Sequence, residues 1–226
     1  MEHEILSKLN DSQIKPVLAT EGPVLVIAGA GSGKTRVLTN RIAYLVKEKG
    51  VRPSEILAIT FTNKAADEMK ARLESLVGSL DGMWASTIHS MCVKILRSST
   101  AYLGYDQNFS IYSEDDKERV LKRIIQEKGL DVEKYLKASK NAISDAKNND
   151  LSPKEYKDEH IRQHGVNEIV EIYELYEQEL KRANAFDFDD LLIKTLHLLE
   201  EFDNVREFYS NKFLYVPVAG DEFNAV

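Results

Sequence analysis

Cysteine is almost absent from this 226-residue chain, where Cys92 stands alone. A single thiol excludes any disulfide within the chain and any Cys-rich metal centre. Long apolar runs are missing too. None approaches the roughly 20 residues that a membrane-spanning helix needs, so no membrane segment is expected. The start, Met1-Glu2-His3-Glu4, lacks the basic and apolar regions of a secretory leader, and a cytoplasmic location is the expectation. Nor is there a surplus of positive charge, since 30 Lys and Arg face 37 Asp and Glu for a net of −7. The deficit is uneven. Residues 1–110 hold 13 basic and 11 acidic side chains, residues 111–226 hold 17 and 26. Net charge therefore neither supports nor excludes a nucleic-acid partner for the first half. Repeats and low-complexity tracts are lacking as well, and hydrophobic residues at 43% suffice for a sizeable core.

What is present centres on Val24-Leu25-Val26-Ile27-Ala28-Gly29-Ala30-Gly31-Ser32-Gly33-Lys34-Thr35. The apolar run Val24–Ala28 reads as a buried parallel strand, and the glycines let the backbone turn tightly. A helix then opens near Gly33, so backbone N–H groups and the positive helix end converge on one anion. Lys34 would supply a point charge to the β- and γ-phosphates, and the Thr35 hydroxyl would help hold Mg²⁺. The first position of the usual phosphate-loop pattern is Gly; here it is Ala28.

Strands and helices alternate through the first half. Val37, Leu38, Ile42, Leu45 and Val46 recur at helical spacing, and Gly50 and Pro53 end that helix. Ile56–Phe61 reads as a second buried strand, Ala65, Ala66, Met69 and Leu73 as a helix stripe, and Trp84–Thr87 as a third strand. Met91, Val93, Ile95 and Leu96 follow on another helix. This order implies a mainly parallel sheet with ligands at the carboxyl ends of its strands. Beyond about residue 100 the pattern becomes helical throughout. Ser113 and Asp116 read as a capping box, Ser152-Pro153-Lys154-Glu155 as a second helix start, and Ile169, Val170, Ile172, Tyr173, Tyr176 and Leu180 as a long stripe. No strand is expected between 113 and 205. Phe213–Ala219 reads as a final strand, with Asp221-Glu222 behind it either as carboxylates for Mg²⁺ and for the attacking water or as an ordinary exposed acidic pair.

Together these segments resemble the UvrD/Rep/PcrA-type helicases of superfamily 1, from about Leu9 to Phe223. The resemblance implies a P-loop NTPase (RecA-like) α/β fold with an inserted all-helical subdomain, residues 1–101 and 186–226 forming the ATP-binding lobe and 102–185 the insertion. Leu9-Asn10-Asp11-Ser12-Gln13 looks like the family's Q motif, in which Gln13 would read adenine. Ala28, Gly29, Ala30, Gly31, Ser32, Gly33, Lys34, Thr35 and Arg36 would surround the nucleotide. Lys34 and Glu222 would be catalytic, and Thr35 and Asp221 would hold Mg²⁺. Ile59-Thr60-Phe61-Thr62-Asn63-Lys64 looks like motif Ia, so Phe61, Thr62 and Asn63 are candidates for single-stranded DNA. The other reading makes Phe61 core and Thr62 or Asn63 a helix cap. Ser86-Thr87-Ile88-His89-Ser90 resembles motif Ib, with Thr87 and His89 along the DNA path, although a His after a strand is commonly structural. In Phe186-Asp187-Phe188-Asp189-Asp190, Phe188 could frame a base, or Asp187 could simply cap a helix.

The resemblance implies an ATP-dependent enzyme with ATP and Mg²⁺ as cofactors, single-stranded DNA as partner, and repair or replication proteins as further company. Movement along DNA would run 3′ to 5′. After Asp221-Glu222 the family pattern breaks, with Phe223-Asn224-Ala225-Val226 where a Gln and an Asp are expected. The second motor lobe lies outside these residues, so the expectation is a helicase fragment that does not unwind DNA by itself. Two rivals stay open, a nucleotide-binding docking module without turnover and the helicase subunit of a helicase–nuclease.

Overall fold

The computed structural model describes residues 5–29 and 31–219, which fall into two compact units, Met1–Met91 with Glu207–Val226 and Cys92–Arg206. These boundaries lie outside the expected 102–185 on both sides. Packing explains the difference. Cys92, Ile95 and Leu96 are buried, as are Leu191 and Leu198, and the Cys92 thiol lies against the Thr195 hydroxyl.

In the first unit, helix α1 (Asp11–Leu18) opens on an Asn10–Gln13 capping box. Helix α2 (Lys34–Lys47) follows the glycine loop. Strand β1 (Leu57–Thr60), helix α3 (Asn63–Val77) and strand β2 (Trp84–Thr87) come next. The strands are parallel, with Leu57 beside Trp84 and Thr60 beside Thr87, so both end at the same edge. Ile42, Ile56, Ala58, Met69, Leu73 and Ala85 form the core between strands and helices, which are the helical and strand stripes of the sequence turned inward.

Two expected strands are corrected here, and a complete RecA-like sheet is not formed among the described residues. Val24–Ala28 is irregular rather than a strand. Leu25 and Ile27 are 75% and 85% exposed. A strand buried on both faces needs a neighbour to pair with. Instead, a cavity of about 720 Å³ separates Val24–Val26 from Leu214–Ala219. Phe213–Ala219 lies parallel to β1 but pairs only at isolated bridges, Ile56 with Tyr215 and Ile59 with Val218. Pro217 is the cause. Tyr215 N donates to Glu55 O, Leu57 N to Tyr215 O, Ile59 N to Pro217 O and Ala219 N to Ile59 O. The missing rung falls where Pro217 has no N–H to give.

The second unit begins within helix α4 (Ile88–Ser99) and continues with strand β3 (Ser110–Ile111) and helices α5 (Glu114–Glu127), α6 (Val132–Asn148), α7 (Pro153–Glu159) and α8 (Val166–Arg182). Strand β4 (Ala185–Phe186) and helices α9 (Phe188–Glu201) and α10 (Asp203–Lys212) complete it, α10 running on into the first unit's second segment. Both capping boxes read from the sequence are present, at Ser113 and Ser152. All six residues of the α8 stripe are buried. The strand β4, which pairs parallel with β3, corrects the expectation of none between 113 and 205. Two residues are too few to show a period.

Candidate nucleotide and nucleic-acid site

Gly31 and Gly33 sit at φ +75° and +86°, in the left-handed region that glycine tolerates. Gly33 is the N-cap of α2, and a Cβ there would meet the Gln13 Nε2 at 2.9 Å. The dihedral calls for glycine, and a side chain there would displace the end of the Gln13 amide. The Gln13 Nε2 donates to the Ser32 carbonyl at 2.9 Å. Its Oε1 accepts from Asn10 N at 3.1 Å, and Asn10 Oδ1 accepts from Gln13 N at 3.0 Å. These bonds fix the amide beside the loop and leave it one N–H and one acceptor site, the pair an adenine edge requires. Lys34 is half-buried, and its Nζ reaches the Ala28 carbonyl at 3.4 Å. Thr35 and Arg36 are exposed at the start of α2.

A cleft of about 430 Å³ brings Gln13, Gly31, Gly33, Lys34, Thr35 and Arg36 together. Glu68 and Arg72 of α3 line it as well, and the sequence reading had not singled them out. Their only signal was an i, i+4 pair of charges one step round from the buried Met69 and Leu73. A cradle of glycines at positive φ, N–H groups at a helix start and three cations against one carboxylate fits a polyphosphate. Among the described residues, no group of three His, Cys, Asp or Glu could hold a metal ion. The Ala30, Asp221 and Glu222 assignments lie outside the described residues.

The candidate nucleic-acid residues of the first unit occupy the carboxyl edge of β1 and β2. Phe61 is 62% exposed, so it is not a core residue. Thr62 is the N-cap of α3, its Oγ1 accepting from Ala65 N at 3.1 Å, and Asn63 is the first residue of that helix. Thr62 therefore caps, and its hydroxyl proton remains available to a phosphate. Thr87 is buried. Its Oγ1 accepts from Ser90 N at 3.2 Å and donates to Ser90 Oγ at 2.9 Å, which commits the hydroxyl to the start of α4. His89 is half-buried one position into that helix.

The Asp187–Asp190 segment belongs to the second unit and resolves its two readings differently. Asp187 is the N-cap of α9 in a reciprocal capping box with Asp190. Its Oδ2 accepts from Lys147 Nζ at 3.0 Å and from the Tyr176 hydroxyl at 3.1 Å. Lys117 Nζ stands 3.4 Å from Asp187 and 2.9 Å from Asp189. Lys147 also pairs with Asp190 and Glu177, each at 2.8 Å. Both lysines are buried. Burial opposes the Asp187 charge, but Lys147 and Lys117 outweigh it and hold the carboxyl down at about 2. Burial, seconded by the Asp187 and Glu177 carboxylates against the pull of Lys147, pushes Asp190 up to about 7. The acids of this segment are spent on structure, while Phe188 is 46% exposed.

The pattern of the UvrD/REP helicase N-terminal domain matches residues 9–224. Proteins described as ATP-dependent DNA helicase PcrA, from Staphylococcus aureus and Staphylococcus epidermidis, are 44% identical over 221 residues, or 97% of this chain. The chain spans 30% of the length of these curated relatives.

Proposed function

Because this chain belongs to the UvrD/REP helicase family, whose N-terminal domain it carries, we propose that it binds ATP with Mg²⁺ and single-stranded DNA. In the whole helicase it would couple ATP hydrolysis to 3′-to-5′ movement and unwinding. The observation that carries this reading is the cleft in which Gln13, the glycine loop and Lys34 converge.

In this reading the N–H groups of the loop and the Lys34 ammonium hold the phosphates and take up charge as the γ-phosphoryl leaves. Gln13 offers its remaining donor and acceptor to the base, and Arg36 flanks it. Glu222 receives the proton of the attacking water. Thr35 and Asp221 would hold Mg²⁺, which supplies neutralising charge across the phosphate oxygens. Phe61 gives an exposed face for base stacking, and the Thr62 hydroxyl and Asn63 amide give donors to the sugar–phosphate chain, with Thr87, His89 and Phe188 as further contacts. The companions would be proteins of DNA repair or replication.

Titration of the chain with a fluorescent ADP or ATP analogue in Mg²⁺ tests the reading. Binding by the wild type that Lys34→Ala weakens at least about tenfold, at unchanged melting temperature, is expected, since a charge-assisted phosphate contact is lost from a half-exposed site. No binding by the wild type, or equal binding by the variant, contradicts it.

A further inference from the structure

We infer that Arg41 is a positioning residue for base selection, tying the helix that carries Gln13 to the helix that carries Lys34. The inference rests on the nucleotide-binding reading above and deepens it, since it concerns how the Gln13 amide is kept in register with the phosphates.

Helix α1 needs outside support. It has eight residues, short of the roughly 12–15 at which a helix in water becomes even marginally stable alone. Pro16 lies inside it and has no N–H to give the Ser12 carbonyl four residues earlier. Its buried residue is Val17, packed among Ile5, Val37, Ala43 and Tyr44. Apolar burial of that kind is non-directional. It holds α1 against α2 but does little to fix how the helix slides or turns, and Gln13 sits in the first turn of α1.

Arg41 supplies the direction. It lies on α2 seven positions after Lys34, about two turns on, and so on the same side of the helix. The half-buried Arg41 side chain donates through Nη1 to the Pro16 carbonyl at 2.6 Å and also to the carbonyl of Ala19, the C-cap of α1. Carbonyls in the last turn lack an intrahelical donor, and a cation placed there meets the negative end of the helix.

The other end of α1 is tied to the glycine loop by the bond from Gln13 Nε2 to the Ser32 carbonyl at 2.9 Å. One end of α1 is thus fastened to the loop before α2, the other to α2 itself. The spare donor and acceptor of Gln13 therefore stand at a set distance from the Lys34 ammonium. Loss of Arg41 would leave the loop and Lys34 in place but let the amide swing, so adenine recognition suffers and phosphate binding does not.

The test is the affinity of the intact chain in Mg²⁺ for fluorescent ADP and GDP analogues. It is measured, with melting temperatures, for wild type, Lys34→Ala, Gln13→Ala, Arg41→Met, Arg41→Lys and the variant combining Gln13→Ala with Arg41→Met. Arg41→Met keeps an apolar stem and removes the donors. It should weaken ADP binding about fivefold, the scale of one ordinary hydrogen bond, and leave GDP binding within about twofold. In the Gln13→Ala background it should cost nothing further, because residues that act through one another are not additive. Arg41→Lys should recover part of the ADP loss, its ammonium reaching the same carbonyls without the planar fork. Equal losses for both nucleotides, or a loss that persists undiminished without Gln13, make Arg41 purely structural and overturn the inference. So does an unchanged ADP-to-GDP ratio in Arg41→Met. If that variant does not fold, the ratio in Arg41→Lys decides, a lowered value supporting the inference and a wild-type value overturning it. Wild-type binding that Lys34→Ala weakens but Gln13→Ala does not would remove Gln13 from base selection and this inference with it, leaving phosphate binding standing. No wild-type binding overturns both.

Discussion

The two units use their polar residues in opposite ways. In the first, Phe61 and Arg36 face solvent, Gln13 keeps hydrogen-bonding capacity in reserve, and an apolar segment at Val24–Ile27 lies uncovered. In the second, two buried lysines and four carboxylates close on one another through Lys117 and Lys147. In the proposed reading, groups held for a ligand keep unused capacity in the protein alone, whereas the two lysines of the clamp are each shared among carboxylates. The difference separates a binding site from a clamp where residue types alone do not, since both regions contain Lys beside acceptor groups.

The largest effect should come from breaking the clamp. Lys147→Met leaves Asp187, Asp190 and Glu177 facing one another without their shared cation. A cost of about 3–5 kcal/mol is expected, as for other buried pairs deprived of one partner. Chemical denaturation followed by far-ultraviolet circular dichroism measures it. A loss below about 1 kcal/mol would mean that the cluster is solvated and that the contrast between the units is false.

A smaller effect lies in acid. Asp187 is held at about 2 in the folded chain, against about 3.9 unfolded. Its contribution is therefore complete above about pH 4 and is lost as pH falls from 4 towards 2, with a magnitude of about 2–3 kcal/mol. Asp190 acts in the opposite sense at higher pH. Raised to about 7, it keeps its proton when folded, and its contribution fades as pH rises from about 4 to 7. Below pH 4 Asp190 is protonated in both states, so the acid limb carries Asp187 without Asp190, alongside surface carboxyls such as Asp116 and Glu179 that their hydrogen-bond and charge partners also hold down. Asp187→Asn retains an effective helix cap and should flatten that limb. An unchanged slope would assign acid unfolding to other carboxylates.

Much of the second unit was legible. Ser113 and Ser152 announced their helices because capping chemistry is local, and the α8 stripe announced its core because periodicity is local. The clamp was not legible. Lys147 and Asp187 are 40 residues apart, and Lys117 and Asp189 72, so nothing in the spacing of charges marked them as partners. In the first unit the glycine loop was legible for the same local reason, and the place of Gln13 beside it followed from the resemblance. Val24–Ala28 misled because an apolar run encodes a demand for burial on two faces but not the presence of a neighbour to supply it. Pro217 interrupts the Phe213–Ala219 run, and the structure shows which rung it removes.

Amide hydrogen exchange of the whole chain, with and without Mg²⁺ and ATP, tests the contrast most directly. If the first unit holds its polar groups for a nucleotide and the second spends its own on structure, ATP will slow exchange in peptides covering Gln13 and Gly31–Arg36. Peptides covering Lys147 and Asp187–Asp190 will be unaffected, already protected without ligand. Protection by ATP at Asp187–Asp190, or none at Gly31–Arg36, would contradict the account.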